Sequence, residues 1–456
     1  MAERRVGPGM PKLLQAVRDA LHLPDLRRKL FFTLGILVIF RLLAHIPLPG
    51  VNTEALHELF QRSQLLGMLD LFSGGAMRNL SIVAMGVYPY ITATIVMQLL
   101  VPVIPRLQAL SQEGEEGRRR LDQYTHFLTV PLAMLQGYGQ LVLFSRPVSG
   151  MTQPPISGIG LSGANLLPTF AMILCLAAGT MLLVWLGERI TEHGIGNGIS
   201  IIIFGGIVAA LPGNIGRSYL STGVGGMIKL LLLFLAITFF IVYFTEAYRR
   251  IPVQYSRQIF RGGRMYRQSG GTYLPIRVNS AGMIPLIFAI ALMVFPGTVA
   301  SWFANPPGQD PNLANHIWDL FRPNGSYWWF YWSLYFLLVI GFTFFYTMII
   351  FQQQNIPDTL QKQGGFIPGI RPGKTTAEYL NRVINRVTWG GALCLGLVAI
   401  MPIFARWIAG TPANVPATNL MILSSAGLLI VVGVVLDTMR QMEAQLLIRH
   451  YEGFLK

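Results

Sequence analysis

Charge is scarce in this sequence: only 12% of its residues are Asp, Glu, Lys or Arg, about half the share in an ordinary soluble domain. Hydrophobic residues make up 52% and the mean hydropathy is +0.50. That balance excludes a water-soluble fold. Cysteine is scarcer still. Cys175 and Cys394, the only two, both lie inside apolar runs. They read as reduced core thiols and exclude a disulfide framework.

Acidic residues are missing where a carrier or pump needs them. No Asp or Glu lies inside a long apolar run; Glu246, Asp437, His45 and His126 sit at the ends of such runs. Proton-coupled transport depends on intramembrane groups that change protonation, so their absence argues against it. A zinc peptidase needs His-Glu-x-x-His on one helix, and Glu192-His193 has no second histidine at helical spacing. Pro368–Thr375 imitates a phosphate loop, yet Pro368 stands where that loop needs glycine and Pro372 removes an amide. The expectation is no catalytic constellation, no cofactor and no metal.

What the chain has in abundance is apolar sequence. Leu230–Tyr243, Trp328–Phe351 and Leu420–Leu436 are near the roughly 17–25 residues that cross a bilayer as a helix. Ten spans are expected, near 30–47, 80–101, 124–144, 166–187, 195–211, 229–246, 278–296, 327–350, 387–404 and 420–437. The first follows a basic leader, 1–29, and reads as a retained span rather than a cleaved signal. The loops on the side of the N-terminus carry 27 Lys and Arg against 6 on the other side. Both termini are therefore expected in the cytoplasm. The fold class expected is an all-α, multi-pass integral membrane protein.

Residues 65–79, LLGMLDLFSGGAMRN, are too short and too broken by Ser73-Gly74-Gly75 to span. Irregular backbone survives at membrane depth only against protein or a water-filled cavity. The segment is thus either re-entrant, in a bundle that encloses a cavity, or an amphipathic helix on the outer surface. The spans hold many glycines and prolines, including Pro89, Pro131, Pro285 and Pro402, which suit close and bendable packing. Apolar walls can themselves be functional, because an aliphatic constriction excludes ions by dewetting without binding what passes.

Two of the loops on the N-terminal side are unusual. Loop 247–277 has seven arginines, among them Arg257, Arg261 and Arg264, and no acidic residue. Either it attracts ribosomal RNA, an acidic motor protein or anionic lipid, or it is a topology signal that also touches lipid. Loop 351–386 contains Phe366-Ile367-Pro368-Gly369-Ile370-Arg371-Pro372-Gly373, a Pro/Gly-shaped loop that presents Arg371 close to Lys374.

At this loop the sequence resembles the bacterial SecY family, and the resemblance extends over nearly the whole chain. It rests also on Leu71–Gly75, Tyr88-Pro89-Tyr90-Ile91, Gly114–Arg119, Trp185–Ser200 and Leu274–Asn279. The resemblance implies the central subunit of a channel for unfolded preproteins in the bacterial cytoplasmic membrane. It would have two five-helix halves, 30–211 and 229–437, an outside connection at 212–228 and a cytoplasmic tail at 438–456. Residues 66–80 would be a plug helix, including Leu66, Leu69, Phe72, Ser73, Gly74 and Gly75. Val87, Ile91, Ile203, Ile287 and Ile430 fall at the family's pore-ring positions, the first being more often Ile. Gln98 and Asn279 fall along its lateral gate, through which signal sequences reach lipid. Arg257, Arg261, Arg264, Arg371 and Lys374 fall in its docking loops for the ribosome and the SecA ATPase. SecE and SecG are the implied small partners. A small-molecule carrier with a broken-helix site is the competing reading, which the interrupted 65–101 region permits.

Overall fold

The computed structural model describes residues 23–62, 73, 75–145, 154–156, 158–160, 163–261, 264–305, 310–322, 325–354, 356–409 and 425–452. Its first helix, α1 (Pro24–Leu43), opens on a proline, where no intrahelical amide bond is needed. Asp25 lies in its first turn and Arg41 in its last, each matching the helix dipole. Then come α2 (Thr53–Arg62), a 3-10 turn at Met77–Asn79, α3 (Tyr88–Leu100), α4 (Pro105–Gln112), α5 (Glu115–Ser145), α6 (Leu166–His193) and α7 (Gly198–Thr245). The remainder is β1 (Tyr248–Arg261), β2 (Arg264–Arg277), α8 (Ile284–Phe303), α9 (Leu313–Leu320), α10 (Trp328–Gln354), α11 (Ile356–Lys362), β3 (Gly365–Phe366), α12 (Lys374–Ala409) and α13 (Ser425–Glu452).

Among the described residues five helices are long and apolar enough to cross a bilayer. They are α5, α6, α7 from Gly223 onward, the run Trp328–Lys362 and α12; a sixth appears if α3 and α4 count as one span bent by 104°. The departures from ten simple spans have local causes. The expected span 80–101 is helical only from Tyr88, because Leu80 adopts a left-handed φ of 41° and residues 82–87 form turns. Pro105 at the start of α4 has no amide to continue the preceding ladder, and the chain turns there. The expected spans 195–211 and 229–246 form one long run through 212–228, broken at Gly223 (φ 65°, ψ −173°), a conformation that glycine tolerates and other residues do not. The expected span 420–437 begins outside the described residues, which resume with α13 at Ser425.

The all-α expectation needs correction, because loop 247–277 is a β-hairpin. Ile251 and Val253 are buried while Arg250 and Pro252 are exposed, the two-residue period of a strand with one covered face. β1 and β2 pair antiparallel, from Tyr248 opposite Arg277 to Arg261 opposite Arg264. β3 adds to the other edge of β1, placing Phe366 opposite Gln254 and Gly365 opposite Tyr255.

Three apolar clusters hold the helices together. One draws on the N-terminal elements, including Leu56, Met77, Leu80, Leu141, Phe144 and Leu176. Another draws on α7, α8, α10, α12 and α13, including Leu230, Leu286, Tyr331, Val339 and Leu429. The third takes residues from both ends of the chain, with Phe40, Ile91, Ile190 and Ile203 beside Ile287 and Ile430. α8 and the first half of α13 are apolar on more than one face, so each joins these two clusters: Leu286 and Leu429 lie in one, Ile287 and Ile430 in the other.

The turns before α3 are seated directly on α6. A Cβ added at Gly179 would lie 2.1 Å from the Ile82 carbonyl oxygen, so the backbone cannot accept one without moving. We predict that Gly179→Ala destabilises the detergent-solubilised protein by about 1–3 kcal/mol, the usual cost of overpacking. Gly390→Ala, where an added Cβ meets nothing within 4 Å, should leave the unfolding midpoint near that of the parent. Equal midpoints for both variants would refute the close approach.

Candidate functional site

The third cluster is where the aliphatic residues singled out from the sequence meet. Val87 caps the N-terminus of α3 and Ile91 follows one turn on. Ile203 comes from the first part of α7, Ile287 from the first turn of α8 and Ile430 from the first turns of α13. All five are buried, Val87 completely and none more than 7% exposed, and all belong to one cluster. Five branched side chains from four helices make a seam with nothing polar of their own to hold water or ions. Its walls are braced from behind, since Phe288 meets Phe342 edge-on at 5.9 Å and Tyr346 edge-on at 6.1 Å, tying α8 to α10.

The segment before α3 reaches the same cluster through Ala76, which is fully buried. Ser73 is also buried, and its hydroxyl oxygen accepts the Met77 amide at 3.1 Å, fixing the turn into Met77–Asn79. Gly75 takes a φ of 86°. Leu66, Leu69, Phe72 and Gly74 lie outside the described residues.

Gln98 lies in the last turns of α3, and Asn279 in the turn between β2 and α8. Gln98 Oε1 and Asn279 Oδ1 are both buried without a hydrogen-bond partner, so the two amides do not bond to each other. A buried amide oxygen in that state costs about 1–3 kcal/mol, and a polar ligand could recover it. Tyr88 is a residue that sequence reasoning passed over. Its hydroxyl donates to the Ala291 carbonyl oxygen at 3.2 Å, joining α3 to α8. The available signal was a phenol placed between two of the wall positions, Val87 and Ile91.

The two arginine-bearing loops form one body. Ile251, Val253 and Ile276 of the hairpin share a small core with Leu360, Ile367, Leu380 and Ile384 of the second loop and α12. Arg371 and Lys374 are exposed. The Arg371 carbonyl oxygen accepts from the Thr375 and Thr376 hydroxyls at 2.7 and 2.8 Å, which anchors the loop to the start of α12. Gly369 and Gly373, at φ 82° and 102°, make the turns on either side. Arg257 pairs with Gln268 and Arg261 with Arg264 along the hairpin backbone. At its base Arg250 donates to the Tyr248 hydroxyl at 2.6 Å, an interaction that holds the guanidinium further from deprotonation.

A helical membrane protein with an aliphatic seam between its two ends and a basic, folded pair of loops is the class these features define. The chain belongs to the SecY family, whose model, described as SecY, matches residues 81–439. It is similar to the protein translocase subunit SecY of Streptomyces scabiei, 40% identical over 457 residues, covering 97% of this chain and 100% of that protein. The protein translocase subunit SecY of Halalkalibacterium halodurans is 42% identical over 458 residues, with the same coverage. Among solved structures, the fold resembles a protein-conducting channel at a TM-score of 0.62 and 17% identity, covering 94% of this chain and 96% of that one. It also resembles Sec61 in the canine ribosome-channel complex from the endoplasmic reticulum, at a TM-score of 0.58, 18% identity and the same coverage.

The shared core between the loops makes a prediction of its own. Ile367→Ala should cost about 2–5 kcal/mol locally, as for other buried Ile truncations. Amide exchange should accelerate at whichever of Gln254 and Tyr255 turns its N–H to β3, while exchange in α6 stays constant. Unchanged exchange at both residues would mean that the loops are independent.

Proposed function

We infer that the protein is the central subunit of a protein-conducting channel, passing unfolded preproteins across a membrane and releasing hydrophobic segments sideways into lipid. The observation that carries this reading is the aliphatic seam itself, in a chain that belongs to the SecY family. Val87, Ile91, Ile203, Ile287 and Ile430 form the pore ring. Such a ring resists water and ions yet offers a moving chain no binding well. Residues 66–80 close it from one side as a plug, and the burial of Ser73 and Ala76 fits that role. The ring lies between a half made of 30–211 and a half made of 229–437, with ten spans in all and both termini in the cytoplasm of a bacterium. Gln98 and Asn279 flank the lateral exit, where their unpartnered oxygens are available to a polar segment. The competing small-molecule carrier needs polar ligands at the constriction, and none of the five wall residues supplies one.

The channel needs partners that push. Arg257, Arg261, Arg264, Arg371 and Lys374 form the docking face for the SecA ATPase and the ribosome, with anionic lipid headgroups as a further counter-charge. A relative of this fold has been seen in a ribosome-channel complex. SecE-like and SecG-like subunits complete the assembly by family resemblance.

Ile430→Asn tests the ring. An amide in the closed seam finds few partners, at a cost of about 1–3 kcal/mol, whereas water or peptide satisfies it once the seam opens. Single-channel recordings of the purified complex in planar bilayers should show more openings, and export of preproteins with defective signals should rise. Silence equal to the parent in both assays would remove the ring assignment. For the docking face, Arg371→Glu should lower SecA-driven import into vesicles by about thirty-fold or more, because breaking a buried interface charge pair costs roughly 2–5 kcal/mol. Normal import at normal abundance would take Arg371 out of that role.

A further inference from the structure

We propose that the Tyr88 hydroxyl is a latch across the seam: its hydrogen bond to the Ala291 carbonyl holds α3 against α8 and must break before the constriction widens. The proposal rests on the channel reading above and deepens it.

The placement carries the inference. Tyr88 is the first residue of α3 and stands between the wall residues Val87 and Ile91. Ala291 lies four residues beyond Ile287 on α8, which puts it on the same helical face one turn further on. The 3.2 Å bond therefore sits one turn away from the wall and spans the same two helices. Tyr88 packs on the seam cluster and Ala291 is a buried member of it, while the Thr92 side chain also hydrogen-bonds with the phenol. The backbone of Tyr88 is itself pinned, since the Thr92 hydroxyl donates to the Tyr88 carbonyl at 3.0 Å. Movement of the phenol away from Ala291 thus requires movement of the start of α3, directly after the turns at 82–87.

The chemistry makes the latch selective. A phenol parted from the Ala291 carbonyl loses a hydrogen bond that hydrocarbon cannot replace and keeps only the Thr92 side chain as a polar neighbour, which is costly for a buried hydroxyl. Lipid tails alone would leave the bond intact. A segment with free backbone carbonyls supplies a substitute acceptor as it enters, so opening is favoured by an unfolded chain and disfavoured by lipid. Because the acceptor is a main-chain carbonyl, the latch depends on the donor side chain only.

The test compares three forms of the complex in planar bilayers and in an export assay with defective-signal preproteins. Tyr88→Phe keeps the ring and loses the donor; it should raise the ratio of open to closed channel by roughly two- to twelve-fold, the range for one neutral hydrogen bond. 3-Fluorotyrosine at position 88 is a stronger donor of nearly the same shape, and it should lower that ratio. A purely structural role would predict no such opposite pair. Ile430→Asn serves as the control for the ring. If Ile430→Asn opens the channel and Tyr88→Phe does not, the latch is overturned and the ring stands; if neither does, both fall. Should Tyr88→Phe fail to accumulate, the fluorinated form decides alone, and an unchanged or higher ratio with it overturns the latch.

Discussion

In the proposed channel the rest of the structure depends on one constraint: a contact between helices distant in the chain has to be dry enough to exclude ions and yet weak enough to part. Branched aliphatic side chains meet both demands, since their attraction is non-directional and modest per contact. Val87, Ile91, Ile203, Ile287 and Ile430 are almost completely buried in one apolar cluster, and none of their side chains can form a hydrogen bond. The elements behind them are held more firmly. α8 and α13 turn a second apolar face to α10 and α12, where tyrosines and a tryptophan fill the space. On the proposed channel reading, the seam would be the soft joint between two more firmly packed halves.

Polar groups around that joint are handled locally. Thr94, Thr125, Thr129, Thr191, Thr343 and Thr438 each donate a hydroxyl to the carbonyl four residues earlier on their own helix. This is the economical answer in a bilayer, where no water is present to satisfy them. The exceptions stand out for that reason. Gln136, Gln140 and Thr180 retain unpartnered buried oxygens in α5 and α6, as do Gln98 in α3 and Asn279 in the turn before α8. Helices that pack so closely, as at Gly179, leave little freedom to repair such deficits by side-chain motion.

Much of this was legible in the sequence, because hydrophobic runs and basic loops are one-dimensional signals. Helices covering 124–144, 166–187, 327–350 and 387–404 were readable from their apolar runs, and the exposed, glycine-flanked turn at Arg371 from its Pro/Gly pattern. The five wall positions could be named only by resemblance, since an isoleucine facing lipid and one facing a seam look the same in sequence. What stayed hidden depends on long-range pairing. The alternation of Ile251 and Val253 with polar neighbours marks a strand, but the seven arginines drew the reading toward charge and away from that period. The pairing of β3 with β1 joins residues more than a hundred positions apart. The break at Gly223 was likewise invisible, because one glycine among many gives no sign of which will adopt the unusual dihedrals.

The pairing of Gly365 and Phe366 with Tyr255 and Gln254 gives the two loops a shared load path. A strain applied at Arg261 and Arg264 travels down a two-stranded ribbon rather than dissipating in slack chain. It passes through β3 and the Ile367 core to the first turn of α12, a helix that runs unbroken from Lys374 to Ala409. In mechanical terms the molecule carries a rigid handle welded to a long strut. On the proposed docking reading, a partner gripping either loop would grip both, and the load would pass into α12, which packs in the cluster of Leu230, Leu286 and Leu429 rather than in that of the five wall residues.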